Sequence, residues 1–231
     1  VWVPSFRQRD LKAASKWAKK KNIPLIFDPL ISAYDKQVFE RKKFSQISSS
    51  AKKLLKWEMK LFQLADIVVA DTNLHAKYFE ETLGVDPARI HILPVSAEEN
   101  IFTFKEKKCQ NNNQYFNVLY FGNYLELHGV DVIAGTICSN SNKAIRWTLV
   151  GDGVGRSTME EKCKGISRVE FIDWIDYHEL PKLIHNSDLV LGIFDTGEKA
   201  SRVIPNKVYQ ALACGCPVAT RKSEAYPEEM L

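Results

Sequence analysis

The sequence predicts an α/β protein built from two Rossmann-like domains, each with a parallel sheet. Short apolar runs, typical of strands buried on both faces, alternate with longer amphipathic stretches that suit helices. The alternation stops between Pro94 and Asn113 and then starts again. Apolar residues make up 45% of the 231-residue chain, which is typical of a globular protein and allows two domains of ordinary size.

In the first half, the apolar runs predict strands at residues 1–3, 24–27, 66–70 and 90–93. Helices are predicted between them, at residues 8–21, 45–64 and 73–83. Within the longest helix, Ile47, Ala51 and Leu54 recur at helical spacing. Strands that alternate with helices in this way favour a parallel sheet with helices on both faces.

The polar runs Lys105–Lys108 and Asn111–Asn113 interrupt the pattern, so we place the boundary between domains 1–105 and 106–231. Five further strands are predicted, at residues 116–121, 145–150, 169–172, 189–194 and 217–220. The helices of this half are predicted at residues 130–138, 158–164, 179–184 and 205–214. Two such domains leave a cleft, and ligands bind beyond the carboxyl ends of parallel strands.

The ends of the chain suggest a fragment. It begins with VWVPSF, without an initiator methionine, on what reads as a strand already under way. It ends at PEEML, soon after another strand begins a new unit. We therefore expect the chain to be truncated at both ends.

Positive charge is concentrated in the first half. Residues 1–60 hold 15 Lys and Arg against 5 Asp and Glu, although the net charge of the chain is only +4. The clusters Lys19–Lys21, Arg41–Lys43 and Lys52–Trp57 are either solvated helix faces or a surface that attracts an anionic membrane or a lipid-phosphate acceptor. Aromatic residues are not interleaved with these clusters, which disfavours nucleic acid.

Cysteine usage and hydropathy argue against a disulfide-bonded protein and against a membrane-spanning one. The five cysteines form no C-x-x-C pair, which favours reduced thiols in a cytoplasmic protein. The chain has no run of about 18 apolar residues of the kind that spans a membrane. No metal-ligand constellation is visible, and we expect no metal.

A helix from Pro205 to about Cys214 follows a polar loop, 195–202, and ends at Gly215. Val208, Ala211 and Leu212 are spaced to pack on the sheet, while Lys207 and Gln210 share another side. A cation and an amide near a helix start form a candidate site for an anion and a hydroxyl. The alternative is an ordinary surface lysine and glutamine.

A second candidate anion site follows strand 116–121. Gly122 and Asn123 end this strand, and His128 and Gly129 open the next helix. A glycine lets the backbone approach a phosphate, and the helix start adds its dipole. The alternative for His128 is a partly exposed histidine at a helix start.

In the first half, Asp28 is the best catalytic candidate because it ends a buried strand on the cleft side. Asp35 and Arg41 are expected to face the same cleft. The alternative is that Asp28 caps a turn before Pro29. Asp71 and Thr72 follow another strand and read more readily as a helix N-cap.

Two segments resemble a known family. Val203–Ala213, VIPNKVYQALA, and residues 119–133, LYFGNYLELHGVDVI, are similar to the donor site of the retaining nucleotide-sugar glycosyltransferases of family 4, which adopt the GT-B fold. The family pattern has two glutamates with seven residues between them, and here Arg202 and Gln210 take those places. Glu198 replaces the first only with a change in loop length.

The resemblance implies a role for several residues. Val203 and Ile204 belong to the donor segment, and Gly151 starts a turn that lines the donor site, which is a better interpretation than a nicotinamide fingerprint. Trp174 or Ile175 walls the nucleotide base, with simple packing of Trp174 on the sheet as the alternative. The usual arginine and lysine of the phosphate loop are replaced by Asn123 and His128, so we expect Arg202 and Lys207 to supply that charge.

The implied activity is metal-independent transfer of a hexose from a nucleotide diphosphate donor to a hydroxyl acceptor, with retention of configuration. The expected partners are the nucleotide sugar, which is a substrate and not a cofactor, a polysaccharide or lipid-linked acceptor, and an anionic membrane surface. The protein is expected in the cytoplasm, at the inner face of the membrane. The alternatives are a nucleotide-binding module without catalysis and a nucleotide-sugar epimerase.

Overall fold

The computed structural model describes residues 1–106 and 115–230 and divides them into two compact units. The first unit comprises Val1–Pro94, Ser201–Val203 and the described residues from Ser223 onward. The second comprises Val95–Ala200, apart from residues 107–114, together with Ile204–Lys222. Lys107, Lys108 and Asn111–Asn113, on which the predicted linker partly rested, lie outside the described residues, as does Cys109.

The first unit contains a four-stranded parallel sheet in the order β1-β2-β3-β4. Its strands are β1 (Trp2–Val3), β2 (Ile26–Phe27), β3 (Ile67–Ala70) and β4 (Ile90–Ile92). All four were predicted, each with longer bounds. Phe27 and Val68 are fully buried in the core of this unit, as is expected for a sheet covered on both faces.

Helices connect the strands of the first unit. They are α1 (Leu11–Lys21), α2 (Ala33–Asp35) with a π-helical continuation (Lys36–Glu40), α3 (Ser49–Phe62) and α4 (Asn73–Leu83). The long basic helix begins at Ser49 and not at residue 45, because the Ser48 side chain accepts a hydrogen bond from Ala51 N and acts as the N-cap.

The segment from Ala33 to Glu40 was not predicted as helical. The buried carboxylate of Glu58 accepts hydrogen bonds from Ala33 N at 2.5 Å and Tyr34 N at 2.8 Å. The Ser32 hydroxyl donates to the same carboxylate at 2.6 Å. A residue of α3 therefore satisfies the amides at the start of α2, and local sequence contains no sign of it.

The second unit contains a five-stranded parallel sheet in the order β7-β6-β5-β8-β9. Its strands are β5 (Phe116–Phe121), β6 (Ile145–Val150), β7 (Val169–Ile172), β8 (Leu189–Leu191) and β9 (Val218–Ala219). The predictions for β5, β6 and β7 are confirmed to the residue, whereas β8 and β9 are shorter than predicted.

The helices of the second unit are α5 (Val130–Ser139), α6 (Arg156–Lys162), α7 (Leu180–His185), α8 (Glu198–Arg202) and α9 (Asn206–Ala213). The prediction of a loop at 195–202 was wrong for α8, whose last two residues belong to the first unit. Leu212 of α9 is 38% exposed and does not pack as predicted, while Lys207 and Gln210 are buried.

The structural division precedes the predicted boundary between residues 105 and 106. Ala97, Ile101 and Phe102 pack into a core of the second unit, which explains why residues from Val95 onward belong to it. Among the described residues, none of the helices has both the length and the apolar character needed to cross a membrane. The four described cysteines, 138, 163, 214 and 216, are free thiols.

Candidate functional site

The strand order in the sheet of the second unit reverses beside β5. The chain proceeds from β5 to β6 and β7 on one side, while β8 and β9 lie on the other side. Ligands of open parallel sheets bind outside the carboxyl ends of the strands at such a switch point. The candidate donor site is therefore expected where the loops after β5 and β8 meet.

These two loops are in direct contact through Gly129. Phe194 N donates a hydrogen bond to His128 O at 3.2 Å. Gly129 has a φ of +65°, and a β-carbon there would lie 2.6 Å from the carbonyl carbon of Phe194. Only glycine suits this position, because any side chain would push the two loops apart.

Gly122 and Gly151, two predicted donor-binding residues, are also brought together. A β-carbon at Gly151 would collide with the carbonyl oxygen of Gly122. The turns after β5 and β6 therefore pack backbone to backbone. This close approach leaves the edge of the sheet lined by main chain, the kind of surface that a phosphate can approach.

Lys207 of α9 points into this region. Its side chain is only 6% exposed, and Nζ has no hydrogen-bond partner among the described residues. Nζ lies 4.2 Å from the ring centroid of Tyr120, and a β-carbon at Gly122 would be 3.4 Å from it. Burial removes water from the ammonium group and lowers the pKa of Lys207 to about 7.

Tyr120 organises the same loop and was missed by the sequence analysis. It is fully buried, and its hydroxyl donates a hydrogen bond to Asn123 O at 2.8 Å. The hydroxyl also lies 2.9 Å from Nδ1 of His128. One side chain thus contacts three predicted donor residues, Asn123, His128 and Lys207. In the sequence it reads only as an apolar strand residue.

His128 is neutral in this setting. The single proton of the Tyr120 hydroxyl is donated to Asn123 O, so Nδ1 of His128 must carry a proton and donate to the hydroxyl oxygen. Burial, and then the charge of Lys207, lowers the pKa of His128 to about 3. Lys207 is therefore the cation at this loop, and His128 is half-buried beside it.

The other predicted donor residues of the second unit differ in exposure. Gln210 is buried, and its Nε2 donates to the Tyr177 hydroxyl at 3.3 Å. Ile204 is also buried, whereas Glu198 is exposed at the start of α8. Trp174 is 82% exposed, so it does not pack on the sheet as in the alternative interpretation, and Ile175 packs against a core.

In the first unit, acidic side chains follow β2 and β3. Burial raises the pKa of Asp28, a hydrogen bond from the backbone of Leu30 lowers it, and the nearby charge of Asp71 raises it further. Asp71 Oδ1 lies 2.5 Å from Nδ1 of the fully buried His75. Thr72 accepts a hydrogen bond from His75 N, which confirms the predicted N-cap.

Arg202, the predicted partner of Lys207, belongs to the first unit together with Val203. Its Nη2 lies 2.7 Å from Oδ1 of the fully buried Asp35. The guanidinium carbon lies 4.5 Å from the ring centroid of Tyr78, and the Thr72 hydroxyl donates to Arg202 O at 2.6 Å. Asp35 is thus the direct partner of Arg202, and a role for Arg202 in binding a diphosphate stays a prediction.

Asp28, Asp35 and Asp71 are acidic, yet they do not form a metal-binding group. Within residues 1–106 and 115–230, no group of three or more His, Cys, Asp or Glu side chains is arranged to hold a metal ion. Arg41, predicted to face the same cleft as Asp35, is exposed at the end of the π-helical segment.

A sequence profile described as Glycosyl transferases group 1 matches residues 115–230, which is half of the chain. The matched residues include the loop after β5 and the whole of α9. The chain belongs to this family. The predicted membership in a glycosyltransferase family is thereby confirmed at this level. No curated protein sequence matches this group 1 glycosyl transferase.

Solved structures are similar to the group 1 glycosyl transferase over both units. HepE from Anabaena, in complex with UDP-glucose, is 16% identical with a TM-score of 0.69, over 96% of this chain and 60% of HepE. WaaG, a glycosyltransferase involved in lipopolysaccharide biosynthesis, is 17% identical with a TM-score of 0.66, over 97% of this chain and 66% of WaaG.

A third similar structure is from E. coli, described as trehalose-6-phosphate and bound with UDP-2-fluoro glucose. It is 14% identical with a TM-score of 0.64, over 95% of this chain and 57% of its own. The chain spans about 60% of the length of such structures. At these identities the likeness concerns the fold, and it confirms the predicted α/β class of the GT-B type.

Proposed function

We propose that this group 1 glycosyl transferase transfers a hexose from a nucleotide diphosphate donor to a hydroxyl acceptor, with retention and without a metal or other cofactor. We further propose that the protein belongs to glycosyltransferase family 4, because residues 119–133 and Val203–Ala213 resemble the donor site of that family. The observation that carries the proposal is Lys207, a buried ammonium group without a hydrogen-bond partner among the described residues, beside the glycine loop at the switch point. A buried cation normally has an anionic partner, and a diphosphate provides one.

In this proposal the second unit holds the donor. Lys207 and the backbone around Gly122 and Gly129 bind the diphosphate, while Trp174 or Ile175 covers the base. Charge that develops on the departing diphosphate is stabilised by groups already in place, which lowers the barrier to breaking the bond at the anomeric carbon. Gln210 and Glu198 are proposed to bind hydroxyl groups of the donor.

The first unit supplies the acceptor side. Asp28 is proposed to position the acceptor hydroxyl, because its carboxyl group follows β2 at the edge where ligands of parallel sheets bind. The raised pKa of Asp28 makes its carboxylate a better hydrogen-bond acceptor for that hydroxyl. A polysaccharide or lipid-linked acceptor of the cell surface, and a location at the inner face of the membrane, fit the basic first half.

The donor site is tested by thermal unfolding with a panel of nucleoside diphosphates. A nucleotide at about one hundred times its Kd stabilises the folded state by about 2.7 kcal/mol, so one member of the panel should raise the unfolding temperature clearly. Lys207→Met should then raise the Kd of that nucleotide at least tenfold, about 1.4 kcal/mol. Lys164→Met, which changes an exposed lysine of the same unit, is the control. Equal Kd values for the two variants refute the proposed role of Lys207.

Transfer itself is tested with labelled nucleotide sugar and a lipid-linked acceptor. Labelled product whose new linkage keeps the anomeric configuration of the donor supports the proposal. Nucleotide binding without turnover would instead indicate a binding module, and sugar interconversion without acceptor would indicate an epimerase.

A further inference from the structure

Two adjoining cavities lie within the first unit, and none of the residues assigned above lines them. Their volumes are about 460 Å³ and about 430 Å³, and both are lined by Arg9, Leu54 and Trp57. Because these three side chains line both, we define the two cavities together as one depression. We call it the basic groove and define it by Arg7, Arg9, Lys12, Lys43, Leu54 and Trp57.

The charged lining of the basic groove is almost entirely positive. Arg7, Arg9, Lys12 and Lys43 line it, and Asp10 is the acidic side chain among the lining residues. Asp10 is already neutralised, since its Oδ2 lies 2.5 Å from Arg7 Nε. Among the described residues, Arg9 and Lys12 have neither an ion-pair nor a hydrogen-bond partner, so a bound anion would not have to displace one.

The opposite lining is apolar and comes from one face of α3. Leu54, Trp57 and Leu61 are spaced three and four residues apart and line the second cavity together. Leu61 is buried, whereas Leu54 and Trp57 are half-exposed, so an apolar strip remains open to a ligand. A ligand that fills this groove must carry both an anionic head and an apolar chain.

We propose that the basic groove binds the phosphate head and the first part of the hydrocarbon chain of a lipid-linked acceptor. This inference rests on the proposed function, because it names the acceptor for the same transfer. Charge complementarity selects the phosphate, and the apolar strip selects the lipid. The combined volume suits one small ligand, since ligand sites measure roughly 300–1,000 Å³.

The surface clusters of lysines do not account for this groove. Lys19–Lys21 and Lys52–Lys53 line neither cavity, and among the basic side chains of the clusters noted in the sequence only Lys43 does. General attraction to an anionic surface would depend on all these lysines alike. Binding in the groove depends on particular ones, and this difference makes the proposal testable.

The probe is farnesyl phosphate, kept below the concentration at which it aggregates, with binding measured by calorimetry. Farnesyl phosphate should bind at least tenfold more tightly than inorganic phosphate, which lacks the chain, or farnesol, which lacks the phosphate. Arg9→Gln and Trp57→Leu should each raise its Kd at least fivefold. The matched controls Lys20→Gln and Trp17→Leu change an exposed lysine and a half-exposed tryptophan outside the groove and should leave the Kd unchanged.

Equal effects of Arg9→Gln and Lys20→Gln overturn the proposal in favour of diffuse attraction. Binding to phosphatidylglycerol vesicles without binding of farnesyl phosphate overturns it in favour of a membrane surface. Nucleotide affinity, measured on the same variants, should not change. If nucleotide binds and farnesyl phosphate does not, this inference alone fails. If farnesyl phosphate binds and no nucleotide does, the proposed function fails while the groove stands.

Discussion

Individual side chains of the donor site were only partly predictable. Sequence spacing correctly placed Lys207 and Gln210 on one side of a helix, but it did not show that both are buried. Tyr120 was missed because a tyrosine within an apolar run reads as core. The partner of Arg202 could not be predicted either, since Asp35 is 167 residues away and no local spacing connects them.

The burial of Lys207 leads to a prediction about pH and stability. Because its pKa is about 7 in the folded protein and about 10.5 in an unfolded chain, the unfolded state binds more protons between these values. Stability should therefore rise with pH through this window. Below pH 7 the full cost of the buried charge is present, so Lys207→Met should be more stable than the parent at pH 6.

The difference is measured by urea denaturation at pH 6, 7.5 and 9 without nucleotide. We expect an advantage of about 1 kcal/mol or more for Lys207→Met at pH 6, decreasing as the pH rises, since one unit of pKa shift corresponds to about 1.4 kcal/mol. Lys164→Met should show no such trend. A difference that is the same at all three pH values would contradict the assigned charge state.

The ion pair between Arg202 and Asp35 leads to a second prediction. Arg202→Met leaves the fully buried carboxylate of Asp35 without its cation, so we expect a loss of about 3 kcal/mol in the free energy of unfolding. The double variant Arg202→Met with Asp35→Asn should recover most of this loss, because neither charge then remains buried alone. Denaturation of the two single variants and the double variant gives the coupling energy. Additive losses would exclude the pair as a source of stability.

At the scale of elements, the strands were predicted well, whereas the two shortest α-helices, α2 and α8, were not. A buried parallel strand is a run of apolar residues, so β5, β6 and β7 were visible from composition alone. The helix at Ala33 is fixed by the carboxylate of Glu58, a tertiary contact. The polar residues of α8 form only five helical residues, which is too short for a periodic pattern to show.

The contact between the loops after β5 and β8 is tested by two glycine substitutions. Gly129 and Gly165 both have positive φ, +65° and +81°, so each alanine variant bears a similar backbone strain. Only at Gly129 would the new β-carbon meet another loop, because nothing lies within 4 Å of that position at Gly165. Gly129→Ala should therefore be less stable than Gly165→Ala by about 1–3 kcal/mol and bind nucleotide more weakly. If the two variants have equal free energies of unfolding in urea, the contact between the two loops does not contribute to stability.

At the scale of the whole molecule, the proposed assignment of the nucleotide donor to the second unit has a measurable consequence. A nucleoside diphosphate without its sugar should slow amide hydrogen exchange in segments 119–131 and 203–211, which surround Lys207, since binding suppresses local opening. The segment 156–166, which contains Gly165, serves as the internal control. Protection confined to the first unit would move the nucleotide away from Lys207.

The uneven charge of the chain was visible from the sequence, but its use was not. Of the basic side chains in the positive clusters noted there, only Lys43 lines the basic groove, while Arg7, Arg9 and Lys12 come from outside those clusters. A run of like charges marks a surface, whereas a binding site gathers side chains from separate segments. The fold class could be predicted from periodicity. Which side chains from separate segments meet in one groove is seen only in the three-dimensional structure.

The ammonium group enclosed by α9 and the glycine loop has one further consequence. Under the proposed function, a protein that keeps an uncompensated charge inside is at its most fragile when its nucleotide donor is scarce. In a cell short of sugar nucleotides, a larger share of these molecules would open and be degraded. Supply of the donor would then govern how long the catalyst lasts as well as how fast it works.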